Sequence, residues 1–340
     1  MTEIMAPTKS EIANMDVEAR PTRFRGLAVG EFGWIWLATL ALFAVSAIVA
    51  PGTVRLSSLL SMAPFAAILA IVAIGQTVVI QQRGLDMSLV ALVALGGVLT
   101  AKLSSTLGST PAAVLATIVI AAALGVLNGF LVARLSIMPL VATLASNAIF
   151  LGLVRMVSGD RVNAAPIGLS KFSQAEIFGV PNTILLSLAF IVAVTLTMKF
   201  TKVGRYFVIV GAAPEAARAA GINVLAFQIG AYAFASICFA AAGMLLSGLV
   251  GSASNLAGPE YLLPSIATVV VGGASFSGGR GSVIASGVAA VFMAQLEQMT
   301  LALGANAAMQ LAVQALAIVI AVSLRNLATF VNNARPRVGY

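Results

Sequence analysis

The chain reads as an all-α, polytopic integral membrane protein of about ten transmembrane helices. Three features dictate this. Hydrophobic residues make up 60% of the 340 residues and charged residues only 9%, and the mean hydropathy is +1.04. A soluble domain clothes its surface with about a quarter charged residues, so most of this surface must face lipid. The apolar residues fall in long unbroken runs, and a helix needs roughly 20 of them to cross about 30 Å of hydrocarbon. These runs do not alternate apolar with polar, which excludes a membrane β-barrel.

Taken in order, the predicted spans are 32–50, 62–81, 87–103, 111–133, 138–157, 182–200, 226–249, 262–275, 283–302 and 305–325. Segments 87–103 and 262–275 are short for a full crossing and are expected to be broken or tilted. Residues 1–30 are polar and read as a cytoplasmic N-terminal tail, 31–325 as the transmembrane domain and 326–340 as a cytoplasmic C-terminal tail. The first apolar run begins near Trp34 and is long enough to span, so it does not read as a cleaved signal peptide. The lone Cys238 falls within a span, which makes redox chemistry improbable, and the absence of His removes the usual proton shuttle and the commonest metal ligand. No cofactor and no metal is expected.

The formal charge of +8 is explained by topology rather than by nucleic acid. With ten crossings and the N-terminus inside, fourteen of the 19 Lys and Arg fall on the inner side, from Lys9 and Arg20 through Arg83, Arg134, Lys199, Lys202, Arg205, Arg218 and Arg280 to Arg337. Arg55, Lys102, Arg155, Arg161 and Lys171 fall outside. The positive-inside rule therefore puts both termini in the cytoplasm.

Between the sixth and seventh spans the sequence GAAPEAARAAGINV (211–224) turns abruptly polar. Pro214 suits a first helical position and Gly221 the position just past a helix end. Glu215 and Arg218 complement the helix dipole and stand three apart, on one face. Ile222 follows where a capping motif sets an apolar contact back onto the helix. An isolated helix this short is marginal in water, so something must hold it. Residues alone leave two readings open, a linker lying on its own membrane domain or a knob docked into another protein.

Acidic residues recur in a related setting. Asp86 and Glu260 each follow a glycine by two, and each precedes an apolar run ending in Gly-Gly, at Gly96–Gly97 and Gly272–Gly273. In the ten-span topology the two copies lie on opposite sides of the membrane, the pattern of an inverted repeat relating spans two to five to spans seven to ten. Each carboxylate is read first as a cap for the following helix and, alternatively, as an ion-coupling group of a secondary transporter. Gln76, Asn128, Asn147, Gln295, Glu297, Gln298, Gln310 and Gln314 are further polar groups within spans, suited to exchanging hydrogen bonds with a hydroxylated solute or with neighbouring helices. Gly125 and Gly129 form a small-xxx-small pair that reads as helix packing. VGGASFSGGRGS (271–282) lacks the Lys of a phosphate-binding loop and reads as a tight turn. No G-x-x-x-x-G-K-[ST] stretch occurs, so the chain does not hydrolyse ATP unaided.

Four stretches, GQTVVIQQRGLDMSLVALVALGGVLTA (75–101), GVLNGFLVARLSIMPLVATLA (125–145), TKVGRYFVIVGAAPEAARAAGINV (201–224) and IATVVVGGASFSGGRGSV (266–283), resemble in order and spacing the permease subunits of ribose/xylose-type ATP-binding-cassette sugar importers. The resemblance runs from about Ser61 to Arg325. It implies a bacterial inner-membrane permease working as a homodimer or with a close paralogue. It further implies a cytoplasmic ATP-hydrolysing subunit and a periplasmic substrate-binding protein as partners, with no enzymatic activity of the chain's own. Segment 201–224 would be the cytoplasmic coupling segment, with Pro214, Glu215, Ala216, Arg218 and Gly221 as ATPase contacts. Candidates for the translocation pathway are Gln76, Asp86, Asn128, Asn147, Glu260 and Gln310. The rival reading is an ion-coupled secondary transporter using Asp86 and Glu260.

Overall fold

The computed structural model describes residues 33–334, and these are almost wholly helical. In chain order the helices are α1 (Trp34–Val49), α2 (Leu56–Gln81), α3 (Leu89–Leu107), α4 (Thr110–Ala133), α5 (Pro139–Ser158), α6 (Ile167–Gln174), α7 (Asn182–Phe200), α8 (Lys202–Ala212), α9 (Pro214–Ala219), α10 (Val224–Val250), α11 (Pro259–Val271), α12 (Val283–Ala302) and α13 (Ala307–Ala334). The N-terminal tail 1–30 lies outside the described residues. Of the segment read as a C-terminal tail, residues up to Ala334 continue α13.

Among the described residues, seven helices, α2, α3, α4, α5, α7, α10 and α12, are long and apolar enough to cross a membrane. Three more apolar helices are shorter, at Trp34–Val49, Pro259–Val271 and Ala307–Ile320. The expected shortness of the third span is corrected, since α3 has 19 residues and runs on to Gly108, which leaves the helix at φ 64°. The apolar run stops at Lys102, but the backbone has no reason to stop there; it ends where a glycine accepts the left-handed conformation. The eighth span is short as expected, 13 residues in α11.

Two ends of the bundle are distinguished by what joins the helices. At one end, the short-helix end, lie the 82–88 break, the α8–α9 segment and the 272–282 loop. Three hydrogen bonds knit them: Gly279 N to Gln81 O, Gln81 Nε2 to Gly281 O and Gln82 Nε2 to Phe207 O, each 2.8 Å. At the other, the hairpin end, β1 (Asn163–Ala164) pairs antiparallel with β4 (Ser252–Ala253), and β2 (Glu176–Ile177) with β3 (Val180–Pro181).

The core sits where α10 packs on α2, α3 and α4. Small residues set that approach. A Cβ at Gly243 would stand 1.8 Å from Val93 O, one at Gly96 would stand 2.2 Å from Ala240 O, and one at Gly129 2.6 Å from Ile229 Cα. Close backbone approach replaces the hydrophobic drive that lipid cannot supply. The packing reading of Gly125 and Gly129 holds, because both lie in α4 against α10. By contrast α7 buries little of its length. Apolar grooves flank it, one of about 450 Å³ lined by Met198, Phe207 and Phe234, and one of about 520 Å³ lined by Leu115, Phe172 and Phe190.

A matched pair of substitutions on α10 tests the close approach. Gly243→Ala is expected to destabilise the detergent-purified chain by about 1–3 kcal/mol, the usual range for overpacking. Gly230→Ala, where an added Cβ meets nothing within 4 Å, should instead gain up to about 1 kcal/mol from helix propensity. Thermal unfolding followed by circular dichroism reads both; equal midpoints would refute this packing.

Candidate functional site

The polar segment after α7 folds as two helices. Thr201 Oγ1 caps α8 by accepting from Gly204 N at 3.1 Å. Gly204, Phe207, Val210 and Gly211 then turn to the bundle on one helical face. α9 follows after Ala213, with Pro214 in its first turn. It ends in a Schellman motif: Ile222 N bonds to Ala217 O and Gly221 N to Arg218 O, both 3.0 Å, with Gly221 at φ 78°. Such a cap satisfies the last carbonyls and brings the residue after the glycine back onto the helix. Ile222 accordingly packs with Ala217, Val210, Val224 and Phe227.

This anchoring answers what holds so short a helix. Ala217 is fully buried while the rest of its surface is open. Arg218 Nη1 donates to Glu215 Oε2 at 2.6 Å, the side chains being 61% and 86% exposed. The helix therefore presents Glu215, Ala216 and Arg218 outward from its seat, with Pro214 half-buried.

Directly above this seat the break between α2 and α3 is stitched by side chains. Asp86 is fully buried, and its Oδ1 accepts from Ser88 N at 2.9 Å and Ser88 Oγ at 2.6 Å. Asn128 Nδ2 of α4 donates to Ser88 Oγ at 2.8 Å. From α5, Thr143 Oγ1 accepts from Met87 N at 3.0 Å and Asn147 Oδ1 from Ala91 N at 3.0 Å. These bonds satisfy amides that the incoming helix leaves unpaired in its first turn.

Thus three of the six pathway candidates, Asp86, Asn128 and Asn147, come together around the start of α3, the first two bonded to Ser88 and the third to the Ala91 amide. Gln76 is fully buried in α2, with neither amide atom bonded among the described residues. Gln310 lies far along the chain in α13 and donates to Ala305 O at 3.2 Å. Glu260 stands in the first turn of α11. It complements the helix dipole from there, but no side chain caps this helix, so the capping bond expected of Glu260 is not made among the described residues.

Glu260 and Tyr261 separate two adjoining cavities that also share Phe65. One, about 320 Å³, lies between α3, α10 and the 252–257 segment; the other, about 430 Å³, between α2, α11 and α12, where Glu297 and Gln298 line it. Of the six candidates only Glu260 lines these two. Sequence reasoning missed Arg83 and Ser88, which the break depends on. The signal for Arg83 was its place before Gly84 at the end of an apolar helix, where a left-handed residue stops the chain; Arg83 has φ 63°.

The geometry defines a class: a multi-span membrane protein with a seated helix that turns exposed charges outward at one end and with cavities beside Glu260. The sequence profile described as branched-chain amino acid transport system / permease component matches residues 58–322, and the chain belongs to that permease family. It is 29% identical over 299 residues to the ribose import permease protein of Escherichia coli K12, covering 85% of this chain and 92% of that one. It is 30% identical over 316 residues to the galactose/methyl galactoside import permease of the same strain, covering 87% and 94%. An autoinducer 2 import system permease from Escherichia coli O9:H4 is 29% identical over 275 residues, covering 77% and 83%. No solved structure matches. The family is one of transporters, not enzymes.

Proposed function

We propose that this chain is the permease subunit of an ATP-binding-cassette importer, forming the path of a sugar or sugar-like solute across the bacterial inner membrane. The observation that carries the reading is α9: a polar helix seated by buried Ala217 that turns Glu215 and Arg218 outward, in a chain matched to permeases along 58–322. A cytoplasmic ATPase would receive this helix in a cleft, with Pro214, Glu215, Ala216, Arg218 and Gly221 as the contact set. A periplasmic binding protein would deliver the solute to the hairpin end. Ribose, galactose and autoinducer 2 in the relatives' names support a hydroxylated small solute.

The short-helix end is then cytoplasmic, the chain crosses ten times with both termini inside, and a second permease subunit completes the path. Reciprocal packing supports an inverted repeat of α2–α5 and α10–α13: α2 packs on α12 as α10 does on α4, and α3 on α5 as α11 does on α13. Glu260, with Tyr261 and Phe65, is the pathway candidate open to a cavity. Gln76, Asp86, Asn128, Asn147 and Gln310 would act by shaping the helices around it.

The experiment is uptake into vesicles holding this chain with its ATPase and binding protein, against a panel of labelled sugars. ATP-dependent uptake of one sugar that needs all three components supports the reading. Uptake that persists without ATP and collapses with the ion gradient would replace it by an ion-coupled carrier using Asp86 and Glu260.

Charge reversal at the helix is more specific. Glu215→Lys is expected to lower ATP-dependent uptake about tenfold, ~1.4 kcal/mol of lost docking. An exposed ion pair is itself worth only about 0–1 kcal/mol, so the melting midpoint should barely move. Unchanged uptake would remove α9 from the contact.

A further inference from the structure

We propose that Arg83 is a positioning residue that ties the docking helix to the break between α2 and α3 and carries motion from one to the other. The inference rests on the importer reading and names the connection inside this chain that the reading requires.

The geometry is that of a clasp across three segments. α2 ends at Gln81, and Arg83 follows in the left-handed conformation, φ 63°. From there its guanidinium reaches α8: Nε donates to Gly211 O at 2.8 Å and Nη2 to Ala212 O. Those carbonyls are among the last of α8, which no amide of the same helix can satisfy. A cation there also complements the helix dipole, and the planar fork of Arg reaches two acceptors where Lys offers one point charge. Pro214, the first residue of α9, is two residues beyond Ala212. The third segment closes the clasp from the side, with Gly279 N on Gln81 O and Gln81 Nε2 on Gly281 O, each 2.8 Å.

The junction leaves no slack. A Cβ at Gly211 would stand 2.0 Å from Gln81 O, and one at Gly278 would stand 2.4 Å from Arg83 Cγ. A displacement of α9 therefore moves the end of α2 rather than bending a loop. Three residues past Arg83, the Asp86–Ser88–Asn128 bonds fix the start of α3. Further along these same helices, Phe65 and Leu69 of α2 and Val93, Ala94 and Gly97 of α3 line the two cavities beside Glu260. Arg83 thus stands between the outward helix and the walls of the cavities.

The test uses the assembled complex of wild type, Arg83→Ala and Arg83→Lys, measuring uptake and ATP hydrolysis on the same vesicles. The expected result is a fall of tenfold or more in solute carried per ATP for Arg83→Ala, with the ATPase still co-purifying and Arg83→Lys in between. An unchanged ratio overturns the proposal, whether both rates fall together or neither does. A second measurement needs no transport. Amide exchange of residues 213–222 in the purified chain should quicken at least tenfold in Arg83→Ala while α4 and α10 keep wild-type rates. Exchange unchanged across that segment overturns the clasp. A wild-type complex without ATP-dependent uptake, alongside faster exchange in the variant, overturns the importer reading and leaves the clasp standing.

Discussion

Backbone polar groups inside a membrane must be bonded by protein, and the break between α2 and α3 is where this chain meets that demand most sharply. Seven residues leave helical geometry at 82–88, at a depth where Asp86 and Ser88 have no exposure. Unbonded amides there would cost several kcal/mol each. Asp86, Thr143 and Asn147 accept from the amides of Ser88, Met87 and Ala91 at the start of the new helix, and Asn128 holds Ser88 from a third helix. Three elements distant in sequence are thereby locked in register, and α10 can settle against all of them.

That locking explains why the glycines lie where they do. α10 touches α3 at Gly243 and α4 at Gly125 and Gly129 so closely that carbonyls occupy the space of a side chain. Such fits demand neighbours that do not move independently, which the stitched break secures. The loosely held α7 marks the opposite regime, with apolar grooves beside it and little burial. The tight contacts are concentrated between α9 and the cavities.

Much of this was legible in the residues because lipid leaves composition few choices. The positions of the spans followed from runs of apolar residues, and α9 from Pro214, Glu215, Arg218 and Gly221, each of which does what its chemistry suggests. The end of α3 was misplaced because hydropathy reports where lipid ends, while a helix ends where the backbone turns, at Gly108. α8 escaped notice as a separate helix because its buried face is only Gly204, Phe207, Val210 and Gly211, a pattern that flanking apolar spans obscure. The polar residues were found by type but not by use. Asn128 and Asn147 could serve a solute or a neighbouring helix equally well, and only the position of Ser88 and of the Ala91 amide decides what they bond here.

The two carboxylates illustrate how far matching patterns carry. Asp86 and Glu260 share a spacing from glycine and open corresponding helices of the proposed repeat, yet their environments differ. Asp86 is enclosed and bonded to Ser88, whereas Glu260 is exposed beside two cavities that Asp86 does not line. A duplicated frame, with one copy of the carboxylate turned to folding and the other left at an opening, accounts for both the likeness in sequence and the difference in place.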